Sequence, residues 1–99
     1  MIINKTNENG KLTLALDGRL DALTSLDFQD VLLSAIEQED YVELDFSGLA
    51  YVSSAGLRLL LMGQKAAIAK SGRMVLKGVS EDIMEVLDMT GFSDILTIL

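Results

Sequence analysis

The chain contains neither cysteine nor histidine. Without cysteine there can be no disulfide framework and no thiolate nucleophile or ligand. That usage fits a reducing compartment, and a cytoplasmic location is expected. Without histidine the commonest general acid/base and metal ligand is missing. No pair of carboxylates brackets a pocket motif, and no Gly-x-x-x-x-Gly-Lys-Ser/Thr phosphate loop is present. An enzyme is therefore not expected, nor a cofactor or a metal. Cations are scarce: eight Lys and Arg stand against fifteen Asp and Glu, for a net charge of -7. The eight are scattered along the sequence. Nucleic acid and anionic membrane surfaces both demand clustered cations, so neither is an expected partner. An acidic surface keeps a small domain soluble and suits a basic protein partner. Long apolar runs are missing too. Leu59 to Met62 is far too short to cross a bilayer, and no cationic segment with an apolar stretch behind it opens the chain, so no signal peptide or membrane insertion is expected.

What remains is a 99-residue sequence of 49% hydrophobic residues, enough for one domain spanning 1–99 around one core. No linker, repeat or low-complexity stretch interrupts it. Ile2 and Ile3 begin an edge strand, Asn7 to Gly10 is a turn, and Leu12, Leu14 and Leu16 alternate as a second strand ended by Asp17-Gly18. Thr24 or Ser25 is the expected N-cap of a first helix with Asp27 in its first turn. Leu26, Val31, Leu32, Ala35 and Ile36 form its inner face as far as about Gln38. Tyr41 to Phe46 is a strand, Ser47 to Val52 a loop, and Ser54 to about Lys70 a helix, closed by Ser71-Gly72. Met74 to Leu76 is a short strand. Ser80 caps a third helix, with Glu81 and Asp82 in its first turn, an inner face of Ile83, Val86, Leu87 and Met89, and a stop at Thr90-Gly91. Residues 92–99 hold a last helical turn or strand. The early hairpin implies antiparallel pairing and the later alternation implies right-handed parallel crossovers. The expected class is α/β, a small mixed β-sheet with helices packed mainly on one face.

The segment from Val42 to Leu61 carries the most information. Ser53 and Ser54 fall at or just inside a helix N-terminus, where free N–H groups and the helix dipole favour an anion. A hydroxyl there is either a cap or an acceptor for a phosphoryl group. On residues alone the cap is the commoner role.

Three stretches resemble the STAS domain family, and within it the bacterial anti-sigma factor antagonists. Leu16-Asp-Gly-Arg-Leu-Asp21 followed by Thr24 is similar to the family's turn before the first helix. Leu44 through Leu57 resembles its phosphorylation loop, and Val86-Leu-Asp-Met-Thr-Gly-Phe92 its closing helix. The resemblance implies a regulated serine two residues before the loop glycine. Counting back from Gly56 gives Ser54. The Asp usual before that serine is Ser53 here, and the Ser or Thr usual after it is Ala55.

The implied mechanism is a partner switch. The unphosphorylated protein, expected to be a monomer, binds an anti-sigma factor that is also a serine kinase with an ATP-binding fold. Phosphorylation releases it, and a PP2C-type phosphatase restores binding. The implied partner surface comprises Asp21, Thr24, Ser53, Ala55, Gly56 and Arg58. Asp21 and Thr24 read equally well as turn and cap residues, Ser53 as a cap and Arg58 as an exposed helix residue. Asp45 is a solvent-facing strand residue or an acceptor that orders the loop. Gly48 serves a turn, and Gly56 a close approach of loop and helix. An alternative role for the same fold is a constitutively bound accessory subunit of a bacterial transport ATPase complex.

Overall fold

A computed structural model describes residues 1–99. Its elements are β1 (Ile2–Glu8), β2 (Lys11–Leu20), α1 (Ala22–Gln38), β3 (Tyr41–Val52), α2 (Ser54–Ala69), β4 (Arg73–Lys77), α3 (Glu81–Thr90), a single 3₁₀ turn (Phe92–Asp94) and β5 (Thr97–Ile98). The five strands form one sheet in the order β1-β2-β3-β4-β5. β1 pairs antiparallel with β2, and every later neighbour is parallel. Each crossover steps the same way across the sheet. Right-handed connection therefore puts α1, α2 and α3 on one face, as the alternation of elements in the sequence predicts.

The core fills the space between that face and the helices. Parallel register aligns Leu12 with Val42 and Met74, and Leu14 with Leu44 and Leu76. All six are buried, and they meet Phe28, Leu32, Ala35 and Ile36 of α1 and Leu57, Leu60 and Ala67 of α2. Two helix faces differ from the sequence expectation. Leu26 is 66% exposed and Phe28 takes the inward position on α1, while Met89 is 80% exposed on α3. Both residues lie on the outer side of the 3.6-residue repeat set by the buried neighbours. At the far end of α1, Lys70 Nζ donates to the carbonyls of Ile36, Glu37 and Glu39 at 2.7, 2.9 and 3.3 Å, satisfying acceptors that the helix leaves open. No helix is long and apolar enough to cross a membrane.

The other face of the sheet holds a polar arrangement that alternation alone does not reveal. Glu43 is only 3% exposed. Its carboxylate lies 2.9 Å from Lys77 Nζ on β4 and 3.5 Å from Lys11 Nζ on β2, and Thr13 Oγ1 donates to it at 3.4 Å. Burial pushes the Glu43 carboxyl up. The Lys77 hydrogen bond and the charges of Lys77 and Lys11 outweigh that and hold it below the ordinary glutamate range. A carboxyl that titrates lower in the folded chain stabilises it fully above the unfolded pKa of about 4.3 and loses that contribution as pH falls through the folded value. Asp21 and Asp45 are depressed as well and act in the same direction. Urea unfolding should therefore give a stability that is level from about pH 5.5 to about pH 9 and falls below about pH 4. Glu43→Gln should cost about 1–3 kcal/mol at neutral pH and make the acid fall shallower. An unchanged acid limb in that variant would show that the two lysines do not hold the carboxylate charged.

Candidate functional site

β3 runs on past its expected end. Ser47-Gly48 is not the start of a loop: the strand continues to Val52 beside β2, with Asp17 opposite Gly48 and Leu20 opposite Val52. The register shifts twice, between Ala15 and Asp17 and between Gly18 and Arg19, and each shift gives β3 one residue more than its partner. These are β-bulges, which keep pairing while accommodating turn-type residues. β2 likewise passes through Asp17-Gly18 to Leu20. Asp45 orders the first bulge by accepting from Ser47 N at 3.0 Å and Ser47 Oγ at 2.7 Å. Those bonds, the backbone one first, hold its carboxyl below the ordinary aspartate range.

The extended strands deliver two helix N-termini side by side at the carboxyl end of β2 and β3. α1 starts directly after Leu20 and α2 directly after Val52, and Ser53 N donates to Leu20 O at 2.8 Å, tying the two corners together. At the first corner the N-cap is Asp21, not Thr24 or Ser25. Its Oδ1 accepts from Leu23 N at 3.1 Å and Thr24 N at 3.0 Å, while Asp21 N donates to Thr24 Oγ1 at 2.9 Å. This is a capping box with Thr at the third position. An ionised acceptor on two orphan N–H groups outcompetes the hydroxyls further along. The same bonds, the one from Thr24 N first, draw the Asp21 carboxyl below its ordinary range. Thr24 Oγ1 donates onward to Arg19 O at 2.7 Å. Ser25 is buried within the first turn, its hydroxyl without a protein partner.

At the second corner the two serines separate in role. Ser53 is the N-cap: its backbone is extended, with φ -91° and ψ 175°, and its Oγ accepts from Gly56 N at 3.2 Å. Ser54 is the first helical residue, exposed, and its hydroxyl makes no hydrogen bond within the protein. Ala55 is half-buried and Gly56 buried. A Cβ on Gly56 would lie 2.8 Å from Val52 Cγ2, 2.9 Å from Leu20 Cγ and 3.0 Å from Leu20 O, so the predicted close approach is present. Arg58 is exposed one turn on from Ser54 and lines a shallow groove of ≈ 190 Å³ between α1 and α2 with Ala22, Ser25, Leu26, Gln29, Ala55, Leu59 and Met62.

The fold thus brings Asp21, Thr24, Ser53, Ala55, Gly56 and Arg58 to one end of the molecule. Asp21, Thr24 and Ser53 are committed to capping, and Gly56 to packing. Ser54 and Arg58 face solvent. Sequence reasoning passed over the Arg19 guanidinium, which stacks 4.1 Å above the Tyr51 ring at the same end of the strands. It also passed over Leu23, which is 76% exposed on the first turn of α1. The Arg19 to Tyr51 pairing depends on the second bulge, and no local signal predicts it. No cluster of carboxylates is arranged to hold a metal ion.

Comparison with known proteins bears on the fold and the family. BtrV of Bordetella bronchiseptica, provisionally described as an anti-sigma factor antagonist, is 31% identical over 88 residues, 88% of this chain and 76% of its own. The anti-sigma-B factor antagonist of Bacillus subtilis is 26% identical over 94 residues, 95% of this chain and 85% of its own. The solved structure of the anti-sigma factor antagonist SpoIIAA in its unphosphorylated form superposes with a TM-score of 0.77 at 20% identity, over 99% of this chain and 87% of that one. SpoIIAA has also been solved in a phosphorylated form. The family model described as "Mlab, STAS domain" matches residues 3–98. With its mixed five-stranded sheet, its one-sided helices and a match over nearly its whole length, the chain belongs to the STAS domain family.

Proposed function

We propose that the protein is an anti-sigma factor antagonist that works by partner switching at Ser54. One observation carries this reading: Ser54 Oγ is exposed and unbonded on the first turn of α2, while Ser53 supplies the cap. The acceptor is therefore available, and modifying it breaks no bond of the fold. The relatives described as anti-sigma factor antagonists, among them one solved in both phosphorylation states, support the same reading.

The unphosphorylated chain binds an anti-sigma factor with an ATP-binding kinase fold and so frees the sigma factor. In the kinase step Ser54 Oγ attacks the γ-phosphorus of ATP. The Oγ–P bond forms, the bond from γ-phosphorus to the bridging oxygen breaks, ADP departs and the hydroxyl proton passes to solvent or a kinase base. The product carries about -1.5 to -2 additional charges near neutral pH. In the free protein the first-turn N–H groups and the helix dipole offset that charge. Inside a packed interface the phosphate must be desolvated and repels neighbouring carboxylates, so the complex opens. A PP2C-type phosphatase hydrolyses the ester and resets the switch.

Intact-mass spectrometry of the protein incubated with ATP and serine kinases of the same genome tests this, with Ser54→Ala as control. One phosphate is expected on the wild type and none on the variant. The same kinase should bind Ser54→Asp more than about tenfold more weakly than wild type. Label that persists in Ser54→Ala would place the acceptor elsewhere, with Ser53 the next to test. No label from any kinase, with a stable complex indifferent to Ser54 substitution, would select the accessory-subunit role in a transport ATPase complex.

A further inference from the structure

In a chain where acids outnumber cations almost two to one, α2 has no acid at all. Its two charged residues are Arg58 and Lys65, both exposed. Every ion pair in the protein involves Lys11, Lys70 or Lys77, so neither Arg58 nor Lys65 is neutralised, although the neighbouring α1 carries Asp27, Asp30 and Glu37. Between and beyond them the same helix leaves Met62 44% and Ile68 66% exposed, with Leu61 half-buried. Arg58, Leu61, Met62 and Lys65 together line an open depression of ≈ 330 Å³. Across the groove, α1 adds Leu26, 66% exposed. Residues 58, 61, 62, 65 and 68 recur at three- and four-residue spacing and make one continuous stripe. Clustered exposed apolar side chains framed by unpaired charges of one sign mark an interaction surface.

From this we infer that the outward face of α2 docks an acidic, partly apolar segment of the protein partner. The inference rests on the partner-switch reading and extends its surface from the start of α2 to Ile68. It reverses the expectation drawn from net charge, because the face nearest Ser54 is the cationic one. Charge complementarity selects the occupant: carboxylates spaced to meet Arg58 and Lys65, with apolar side chains set on Met62 and into the groove beside Leu26. Two cations on a protein of net charge -7 are too few to hold an anionic bilayer, since each juxtamembrane cation near such a surface contributes only about 1 kcal/mol. Ser54 lies four residues before Arg58, the spacing at which helix side chains meet. A phosphoryl group there takes up the guanidinium that would otherwise meet the partner's carboxylate, which connects the docking stripe to the switch.

The test is calorimetric titration of the kinase that labels Ser54, loaded with ADP, into wild type, Arg58→Glu/Lys65→Glu and Met62→Ala/Ile68→Ala. Circular dichroism and thermal melts establish that each variant is folded. The charge reversal should weaken binding at least about tenfold, and wild-type binding should weaken with added salt. Reversing the facing carboxylates of the kinase to lysine should restore affinity for the reversed variant. Binding of both double variants within about twofold of wild type would overturn the docking stripe while leaving the Ser54 switch intact. A kinase that neither labels nor binds wild type would remove both. Loss of binding to phosphatidylglycerol vesicles on charge reversal, with kinase binding unchanged, would assign the face to lipid and overturn the inference.

Discussion

Phe46→Ala is expected to cost about 3–5 kcal/mol, the range for deleting a buried aromatic ring. Phe46 has no exposed surface and belongs to the one core beneath the helices. It sits on β3 at the first register shift, between Asp45, which aligns with Ala15, and Gly48, which aligns with Asp17. Ladder pairing is interrupted at that point, so burial of the ring takes over the task of holding the strand down as it bends toward the site. A domain of this size has about 5–15 kcal/mol of total stability, and the loss is a large share of it. Thermal unfolding should drop by more than about 12 °C. The urea dependence of the unfolding free energy should keep its slope, because the surface exposed on unfolding is nearly the same. Phe46→Leu should recover most of the loss. A drop of only a few degrees in Phe46→Ala would mean that the helices close over the vacated space.

Gly56→Ala should cost about 1–3 kcal/mol through overpacking, and Gly56→Val more. The added carbon meets backbone as well as side chain: Leu20 O would lie 3.0 Å away. That carbonyl already accepts from Ser53 N, so the strand end cannot retreat without breaking the bond that ties the two helix starts together. The helix must lift instead, carrying Ser54 with it. Both melting temperature and kinase labelling should fall in Gly56→Ala. Ser54→Ala removes a hydroxyl with no protein partner and should stay within about 0.5 kcal/mol of wild type. A Gly56→Ala protein with normal stability and labelling would show that α2 can shift at no cost, and that the site tolerates looseness.

Features governed by nearest neighbours in sequence were legible. Ser80 at the start of α3, Glu81 and Asp82 behind it and Gly91 in the left-handed conformation after it are self-contained signals, and the helix has those bounds. Ser53 and Ser54 were legible as the start of α2, but which of the two caps it is decided by the geometry, in which Ser53 Oγ accepts from Gly56 N. Residues whose role is set across strands were not legible. Ser47-Gly48 reads as a turn because a bulge and a turn use the same residue types; only the pairing with β2 distinguishes them. Glu43 reads as the exposed half of an alternating strand, and its burial depends on Lys77 and Lys11 arriving from two other strands. Asp21 was hidden by competition, since Thr24 and Ser25 are also cap-forming residues and the box was occupied in the less familiar sense.

The spatial order of the strands repeats their order in the chain. Each strand leaving the ribosome therefore meets a neighbour already in place, and no strand must insert between two others. Such a sheet can grow vectorially from its first hairpin, with each loop closed over one helix at most. The contacts that fix the Ser53–Ser54 corner come from β2, β3 and the opening of α2, so none of them waits for β4 or β5 to pair.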